Sequence, residues 1–268
     1  MTDRYAVIGN PVAHSKSPQI HTLFARQTGQ DVEYTRLLAP LDGFASVVAQ
    51  FVAEGGRGLN VTVPFKFDAF NYATERTPRA ETAGAVNTLR FDGNSVLGDN
   101  TDGAGLVVDI TRNLGVSLAG ARILMLGAGG AAYGVMLPLL DQKPEVLHIA
   151  NRTAAKASDL ASAFSQYGRT SSSGYESLDT QYDIIINATS AGLQNTMPPV
   201  PEKVFGEGSL ALDMLYSDKP TAFMVFASAR GARTRDGFGM LVEQAAESFT
   251  VWCGVRPDTS SVFTHFGR

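Results

Sequence analysis

Four short polar clusters hold most of the side chains able to do chemistry. They are His14-Ser15-Lys16-Ser17-Pro18, Asn60-Val61-Thr62-Val63-Pro64-Phe65-Lys66, Ala83-Gly84-Ala85-Val86-Asn87-Thr88 and Gly98-Asp99-Asn100-Thr101-Asp102-Gly103. Each supplies hydroxyls, amides or a single charge, an inventory suited to gripping a small polyhydroxylated acid through several hydrogen bonds. A fifth stretch, Gly127-Ala128-Gly129-Gly130-Ala131, offers backbone instead of side chains. Between a buried strand and a helix, such glycines let the chain approach a dinucleotide pyrophosphate, and the helix start adds unpaired N–H groups and the positive end of its dipole. Position 132 is Ala where G-x-G-x-x-G would end; Ala is accepted there because it still lets the helix pack closely.

The choice of dinucleotide is read at the end of the next strand, where an acidic residue would grip an adenosine ribose 2′-hydroxyl. Here stand Asn151-Arg152-Thr153, with Lys156 a turn later. A guanidinium in place of a carboxylate attracts a 2′-phosphate, which favours NADP over NAD. Thr153 also suits the N-cap of a helix starting at Ala154. The four histidines, His14, His21, His148 and His265, are dispersed and no cysteine pair exists, so no metal is expected. There is no G-x-S-x-G elbow and no Walker lysine.

These segments need a frame, and the apolar pattern supplies one. Strand-like Tyr5–Ile8, a helix near Pro18–Thr28, strand-like Tyr34–Leu38, a helix around Leu41–Glu54 and strand-like Leu59–Val63 make a βαβαβ rhythm. A second series follows: Ala121–Leu126, a helix after the glycines, Val146–Ala150, a helix over Ala154–Tyr167, Asp183–Asn187 and Ser209–Met214. The polar run Thr170–Gly174 reads as a loop. The fold class is α/β: two serial units with mainly parallel sheets covered by helices, the second Rossmann-like. The expected division is 1–101, completed by helices in 238–268, and 102–237 for the dinucleotide-binding unit. The helical spacing over Met240–Val255 would return the chain to the first unit.

The chain has 268 residues, 44% hydrophobic and 18% charged, enough to bury a substantial core. Net charge is −4, and the basic residues are scattered, so neither nucleic acid nor an anionic membrane is an expected partner. The single cysteine, Cys253, fits a reducing compartment. The first apolar run is too short for a signal-peptide core or a membrane span. A cytoplasmic location is the expectation, as a monomer or a homodimer.

Taken together, the four polar clusters and Asn151-Arg152-Thr153 resemble the shikimate dehydrogenase family. Asn187-Ala188-Thr189-Ser190-Ala191-Gly192 and the stretch from Asp236 to Ala245 agree. The resemblance covers essentially the whole chain. It implies an NADP-dependent oxidoreductase acting on CH–OH, which reduces 3-dehydroshikimate to shikimate in aromatic amino-acid and chorismate biosynthesis. It also implies a substrate domain and an NADP domain with the site in the cleft between them. Carried over by residue, the substrate carboxylate falls to Ser15 and Ser17, helped by Tyr216, and the ring hydroxyls to Thr62, Asn87, Asp102 and Gln244. Lys66 is the implied catalytic lysine with Asp102 beside it. Met214 and Gly237 match positions near the nicotinamide, joining Gly127, Ala128, Gly129, Gly130, Ala131, Asn151, Arg152, Thr153 and Lys156 as cofactor residues.

The chemistry such a site needs is compact: a hydride reaches the carbonyl carbon, and the oxygen takes a proton from the protein. Two positions depart from the family pattern. Tyr133 stands where an arginine often follows the glycine loop, and Leu212 where a tyrosine commonly precedes Asp-Met, which leaves a divergent paralogue in view. Two alternatives have their own signatures. A quinate/shikimate dehydrogenase would carry an acidic residue at the ribose position and often threonine at 17. A non-catalytic NADP(H)-binding redox sensor would lack Lys66 or Asp102.

Overall fold

The computed structural model describes residues 2–189, 191 and 196–268. The chain divides into two compact units, one running to Gly105 and completed by Leu241–Arg268, the other Leu106–Met240. The first is built from β1 (Asp3–Gly9), α1 (Ser17–Thr28), β2 (Val32–Leu38), α2 (Phe44–Ala53), β3 (Gly56–Val61), α3 (Lys66–Tyr72), β4 (Glu75–Arg76), α4 (Pro78–Ala83), β5 (Thr88–Asp92), β6 (Ser95–Asp99) and the start of α5 (Asp102–Val108). The second contains β7 (Arg122–Leu126), α6 (Gly130–Asp141), β8 (Val146–Ala150), α7 (Ala154–Phe164), β9 (Thr170–Ser173), β10 (Ile184–Asn187), β11 (Leu210–Asp213), α8 (Ala222–Ser228) and β12 (Arg233–Arg235). Then come α9 (Phe238–Cys253) and α10 (Ser260–His265). The expected boundaries, 101/102 and 237/238, coincide with the starts of α5 and α9, whereas the units part about a turn further on. Asp102 therefore belongs to the first unit and not, as expected, to the second.

The first unit's sheet has the order β2-β1-β3-β5-β6-β4. Strands β1, β2 and β3 pair in parallel, as the βαβαβ rhythm requires. The hairpin β5–β6 then enters against β3 in the opposite sense, with Asn60 opposite Thr88 and Thr88 opposite Asp99. This inversion brings the start of β5 and the end of β6 level with the carboxyl end of β3. Successive strand residues face opposite sides. Ala6 and Ile8 of β1 join Phe44, Val48, Phe51 and Phe65 in the core under α2 and α3, while Tyr5 and Val7 pack with Tyr34 and Trp252 on the other face.

The second unit's sheet is parallel throughout, in the order β12-β11-β10-β7-β8-β9. Counted from β7, this is the 3-2-1-4-5-6 order of a dinucleotide-binding fold, which places the crevice for a ligand where β7 and β10 diverge. Both faces are apolar: Ile123, Met125, Ile184 and Ile186 face α6 and α7, and Leu124, Leu126, Ile185 and Ala211 face α8.

Several expected bounds shift for local reasons. β3 stops at Val61, ahead of Pro64, which has no N–H to extend a ladder. The helix expected from Leu41 begins at Phe44, after Asp42 and Gly43, and the last long helix ends before Gly254, whose φ is +70°. The run expected as a loop, Thr170–Ser173, is the edge strand β9. Its ladder with β8 satisfies the backbone, and Ser171 and Ser173 hydroxyls bond the His148 ring at 2.8 and 2.9 Å. No helix among the described residues is long and apolar enough to cross a membrane.

His21 of α1 is fully buried, stacked on Tyr34 with centroids 4.2 Å apart and planes 4° from parallel, and edged by Phe24 and Trp252. Neither ring nitrogen has a hydrogen-bond partner among the described residues; Asn60 lies beside the ring outside hydrogen-bonding geometry. Burial lowers its pKa to about 3, against 6.5 for an ordinary histidine. The unfolded chain takes up a proton at this side chain over that interval and the folded chain does not. Stability therefore falls as pH drops from 6.5 toward 3, by up to about 1.4 kcal/mol per pH unit. Half-buried His148 acts in the same direction. In thermal melts, the loss of Tm between about pH 7.5 and about pH 5 is expected to be smaller in His21→Phe than in the unmodified protein; equal losses would contradict the assignment.

Candidate active site

At the common end of β3, β5 and β6, the first unit gathers its polar groups around one carboxylate. Asp102 opens α5 and is buried. One oxygen accepts from Asn87 Nδ2 at 2.9 Å, and the other is paired with the Lys66 ammonium in a close contact. Lys66 opens α3 and keeps about a fifth of its side chain exposed, so the pair has a desolvated side and an accessible one. Asn87 is held in turn: its Oδ1 accepts from the Thr101 N–H at 2.8 Å and the Thr88 hydroxyl at 2.9 Å. Its Nδ2 reaches Gln244 Oε1 at 3.3 Å, and Gln244 is anchored by donating to the Leu241 carbonyl at 2.9 Å. Among the residues expected at this site, Lys66, Asn87, Asp102 and Gln244 are thus brought together.

A second buried carboxylate fixes the segment from beneath. Arg79 of α4 grips Asp99 with two bonds of 2.7 and 2.6 Å, and Thr77 donates to the same group at 2.6 Å. Burial alone would raise the Asp99 carboxyl; the hydrogen bonds and charge of Arg79 outweigh it and hold the group below the usual carboxylate range. Asp99 Oδ1 accepts from the Asn100 N–H at 2.8 Å, and Asn100 Oδ1 from the Asp102 N–H at 3.2 Å. The backbone entering α5 is therefore tied at two successive points. Nothing in the sequence marks Arg79 as Asp99's partner, because the pairing depends on the β6 register.

Ser15 and Ser17 are both buried at the start of α1, and Ser15 Oγ donates to Ser17 Oγ at 3.1 Å. Ser17 is the first residue of α1, following Lys16, and caps no helix. Thr62 is half-buried just past β3. Tyr216 is half-buried on the segment after β11, in the second unit.

In the second unit a cavity of about 660 Å³ opens at the carboxyl ends of the strands. Its lining includes Gly127, Ala128, Gly129, Gly130, Ala131, Asn151, Arg152, Thr153 and Lys156, every residue expected to hold the phosphates and ribose. Gly127 adopts φ +103°, a conformation that a side chain would strain. Gly129 precedes α6 with open space around it and no side-chain cap on the helix, so the first N–H groups of α6 remain available to an anion. Arg152 and Lys156 are exposed at the rim. Thr153 occupies the N-cap of α7 but makes no side-chain cap bond. The lining also includes Tyr175, Ala188, Thr189 and Met197, which patterning did not assign. Thr189 was within reach, lying in the segment Asn187–Gly192, of which Ser190 and Gly192 fall outside the described residues.

Met214 and Gly237 do not line this cavity. They meet each other beyond β11, where a Cβ on Gly237 would lie 2.2 Å from the Met214 carbonyl oxygen. Beside them Asp213 is buried, accepting from Thr221 Oγ1 at 2.7 Å and the Leu215 N–H at 3.1 Å; burial raises its carboxyl pKa. Leu212 is fully buried core, and Tyr133 packs edge-on against Phe164, so both departures from the family pattern have apolar surroundings.

A glycine-turned strand-to-helix loop on a six-stranded parallel sheet, with cations at the ribose position, defines a dinucleotide-binding α/β protein. Residues 7–89 match the shikimate dehydrogenase substrate binding domain, 109–196 the shikimate / quinate 5-dehydrogenase domain and 237–262 the shikimate 5′-dehydrogenase C-terminal domain. The chain is 60% identical over 263 residues to a shikimate dehydrogenase (NADP(+)) of Herminiimonas arsenicoxydans, covering 98% of this chain and 96% of that one. Among solved structures, an Ael1 enzyme from Pseudomonas putida matches with a TM-score of 0.94 and 48% identity, covering 98% of each chain. The shikimate 5-dehydrogenase of Thermus thermophilus in complex with NADP(H) and shikimate matches with a TM-score of 0.87 and 32% identity, covering 97% of this chain and 96% of that one. The chain belongs to the shikimate dehydrogenase family.

Gln244 reaches Asn87 because α5 and α9 touch at Gly105: a Cβ there would lie 2.6 Å from the Gln244 backbone nitrogen. Gly105→Ala is therefore expected to destabilise the protein by about 1–3 kcal/mol in denaturant melts, the usual cost of overpacking, despite alanine's better helix propensity. Unchanged or increased stability would contradict that packing.

Proposed function

We propose that this chain is an NADP-dependent oxidoreductase interconverting 3-dehydroshikimate and shikimate, with Lys66 and Asp102 handling the proton. The observation that carries this reading is the Lys66–Asp102 pair, one face accessible and the other anchored by Asn87. The relatives named above support the substrate and the cofactor. The second unit's donors fit NADP: the start of α6 and the glycine loop suit a pyrophosphate, and Arg152 with Lys156 suits a 2′-phosphate.

Bound NADPH supplies the hydride. The chain's own residues do the rest. Ser15 and Ser17, with Tyr216, are assigned to the substrate carboxylate, and Thr62, Asn87 and Gln244 to ring hydroxyls. As the carbonyl carbon gains its C–H bond, the oxygen gains charge, and Lys66 donates the proton that makes the new O–H. Asp102 keeps the ammonium aimed at that oxygen, and Asn87 keeps the carboxylate from turning. The amine left on Lys66 recovers its proton from solvent through its accessible side, and in the oxidative direction each step reverses. Met214 and Gly237 are assigned to the nicotinamide end of the cofactor.

Purified protein incubated with shikimate or quinate, each with NADP or NAD, is expected to change nicotinamide absorbance fastest with shikimate and NADP. Preference for quinate with NAD would support a quinate dehydrogenase instead, and silence in all four mixtures with NADPH binding retained would support a sensor. Lys66→Ala is expected to lose about 10²–10⁴-fold in turnover, the range of general acid–base catalysis, with NADPH affinity unchanged; unchanged turnover would remove Lys66 from the mechanism. Arg152→Ala is expected to weaken NADP binding about 10- to 100-fold while leaving NAD binding unaffected, the worth of a hydrogen bond to a charged group.

A further inference from the structure

We propose that Arg79 is a positioning residue for proton transfer, setting through Asp99 both the Asp102 carboxylate and the Asn87 amide that holds it. The inference rests on the assignment of proton transfer to Lys66 and Asp102. Arg79 is the second residue of α4, whose start is pinned by Thr77: the Thr77 hydroxyl accepts from the Ala80 N–H at 3.3 Å and donates to Asp99 Oδ1 at 2.6 Å. The guanidinium turns two donors to Asp99, Nε to Oδ1 at 2.7 Å and Nη2 to Oδ2 at 2.6 Å, and its Nη1 to Glu247 Oε2 at 3.5 Å. Glu247 is in turn paired with Arg256 in a close contact, and Arg256 reaches the buried Glu243 at 3.3 Å. Both glutamates lie on α9, Glu247 three residues beyond Gln244. Arg79 is thus fixed from two sides, by the end of β6 and by the helix that carries Gln244.

Asp99 passes this placement on in two directions. Its backbone carbonyl accepts from the Asn87 N–H at 3.0 Å. Its Oδ1 accepts from the Asn100 N–H at 2.8 Å, and Asn100 Oδ1 accepts from the Asp102 N–H at 3.2 Å. Asn87 Nδ2 and Asp102 Oδ1, which meet at 2.9 Å, therefore belong to two residues whose backbones are both tied to Asp99. The tie to Asp102 runs through the Asp99 carboxylate, and the geometry of that carboxylate is set by Arg79.

This dependence has a physical cause. Asp99 is buried, and a carboxylate there keeps its charge only while a cation and hydrogen bonds answer it. When the guanidinium no longer holds both oxygens, the carboxylate turns or takes up a proton, and either change slackens its hold on the Asn100 N–H and so on the turn into Asp102. Lysine is a poor substitute, because an ammonium is a point charge that cannot present a planar fork to Asp99 and a further donor to Glu247. Proton transfer is steep in geometry, and a displacement of about 1 Å can cost about 10²-fold in rate. Arg79 thereby governs the aim of the Lys66–Asp102 pair through Asp99, without itself bonding to either member.

Because Arg79→Ala strands a buried charge, the test uses Arg79→Lys, which keeps a cation beside Asp99, alone and combined with Lys66→Ala. The readout is the single-turnover rate of NADPH formation at saturating shikimate and NADP, with NADP affinity and thermal melts as controls. Arg79→Lys is expected to slow that rate about 10- to 100-fold, with NADP affinity within about twofold. In the Lys66→Ala background, where the proton step is already lost, the same substitution should cost less than about threefold. A lower Tm with an unchanged single-turnover rate, or equal slowing in both backgrounds, would overturn the inference while leaving the proposed function standing. Unchanged turnover in Lys66→Ala alone would instead overturn the proton-transfer assignment, and this inference with it.

Discussion

A carboxylate taken out of water must be compensated, and the first unit's polar architecture follows from how Asp102 is compensated. An isolated buried charge would cost several kcal/mol, and a single cation seldom repays it without further hydrogen bonds to the remaining lone pairs. Asp102 has both: Lys66 on one oxygen and the Asn87 amide on the other. Each of those partners is constrained by its own element, Lys66 by the start of α3 and Asn87 by the turn into β5. The same requirement recurs beneath, where Arg79 answers Asp99 and so fixes the two residues that lead into Asp102.

The antiparallel hairpin makes this concentration possible. In an all-parallel sheet only the carboxyl ends of strands reach a given edge. Running β5 against β3 puts a strand start, with Thr88 and the preceding Asn87, level with two strand ends, so Asn60, Thr88 and Asp99 lie in one row. The second unit keeps the parallel pattern, and there the loop after β7 and the start of α6 present backbone donors instead of side chains. One unit thus specialises in side-chain hydrogen bonds and the other in backbone and cationic ones, the division of labour expected of a ring substrate and a phosphorylated cofactor.

What could be read in the sequence was what depends on neighbours along the chain. The glycine loop, the apolar run of β7 and the Asn151-Arg152-Thr153 ending of β8 are local signals, and all lie where patterning put them. The resemblance to the family named Lys66, Asn87, Asp102 and Gln244, which meet in one cluster. The β5–β6 hairpin gave no periodic sign, since its pairing with β3 joins residues far apart in the chain, Asn60 with Thr88. Thr170–Ser173 looked like a loop because a polar edge strand lacks apolar alternation, and its pairing comes from β8. The helix that carries Arg79 was not expected at all, and only the β6 register shows that Arg79 answers Asp99.

The most direct measurement is a crystal structure of the complex with NADP and shikimate. The Lys66 Nζ is expected within hydrogen-bonding distance of the shikimate oxygen that exchanges its proton, with Asp102 still engaged by Lys66 and by Asn87. A lysine turned into bulk water, or a ring oxygen served by some other acid, would contradict it.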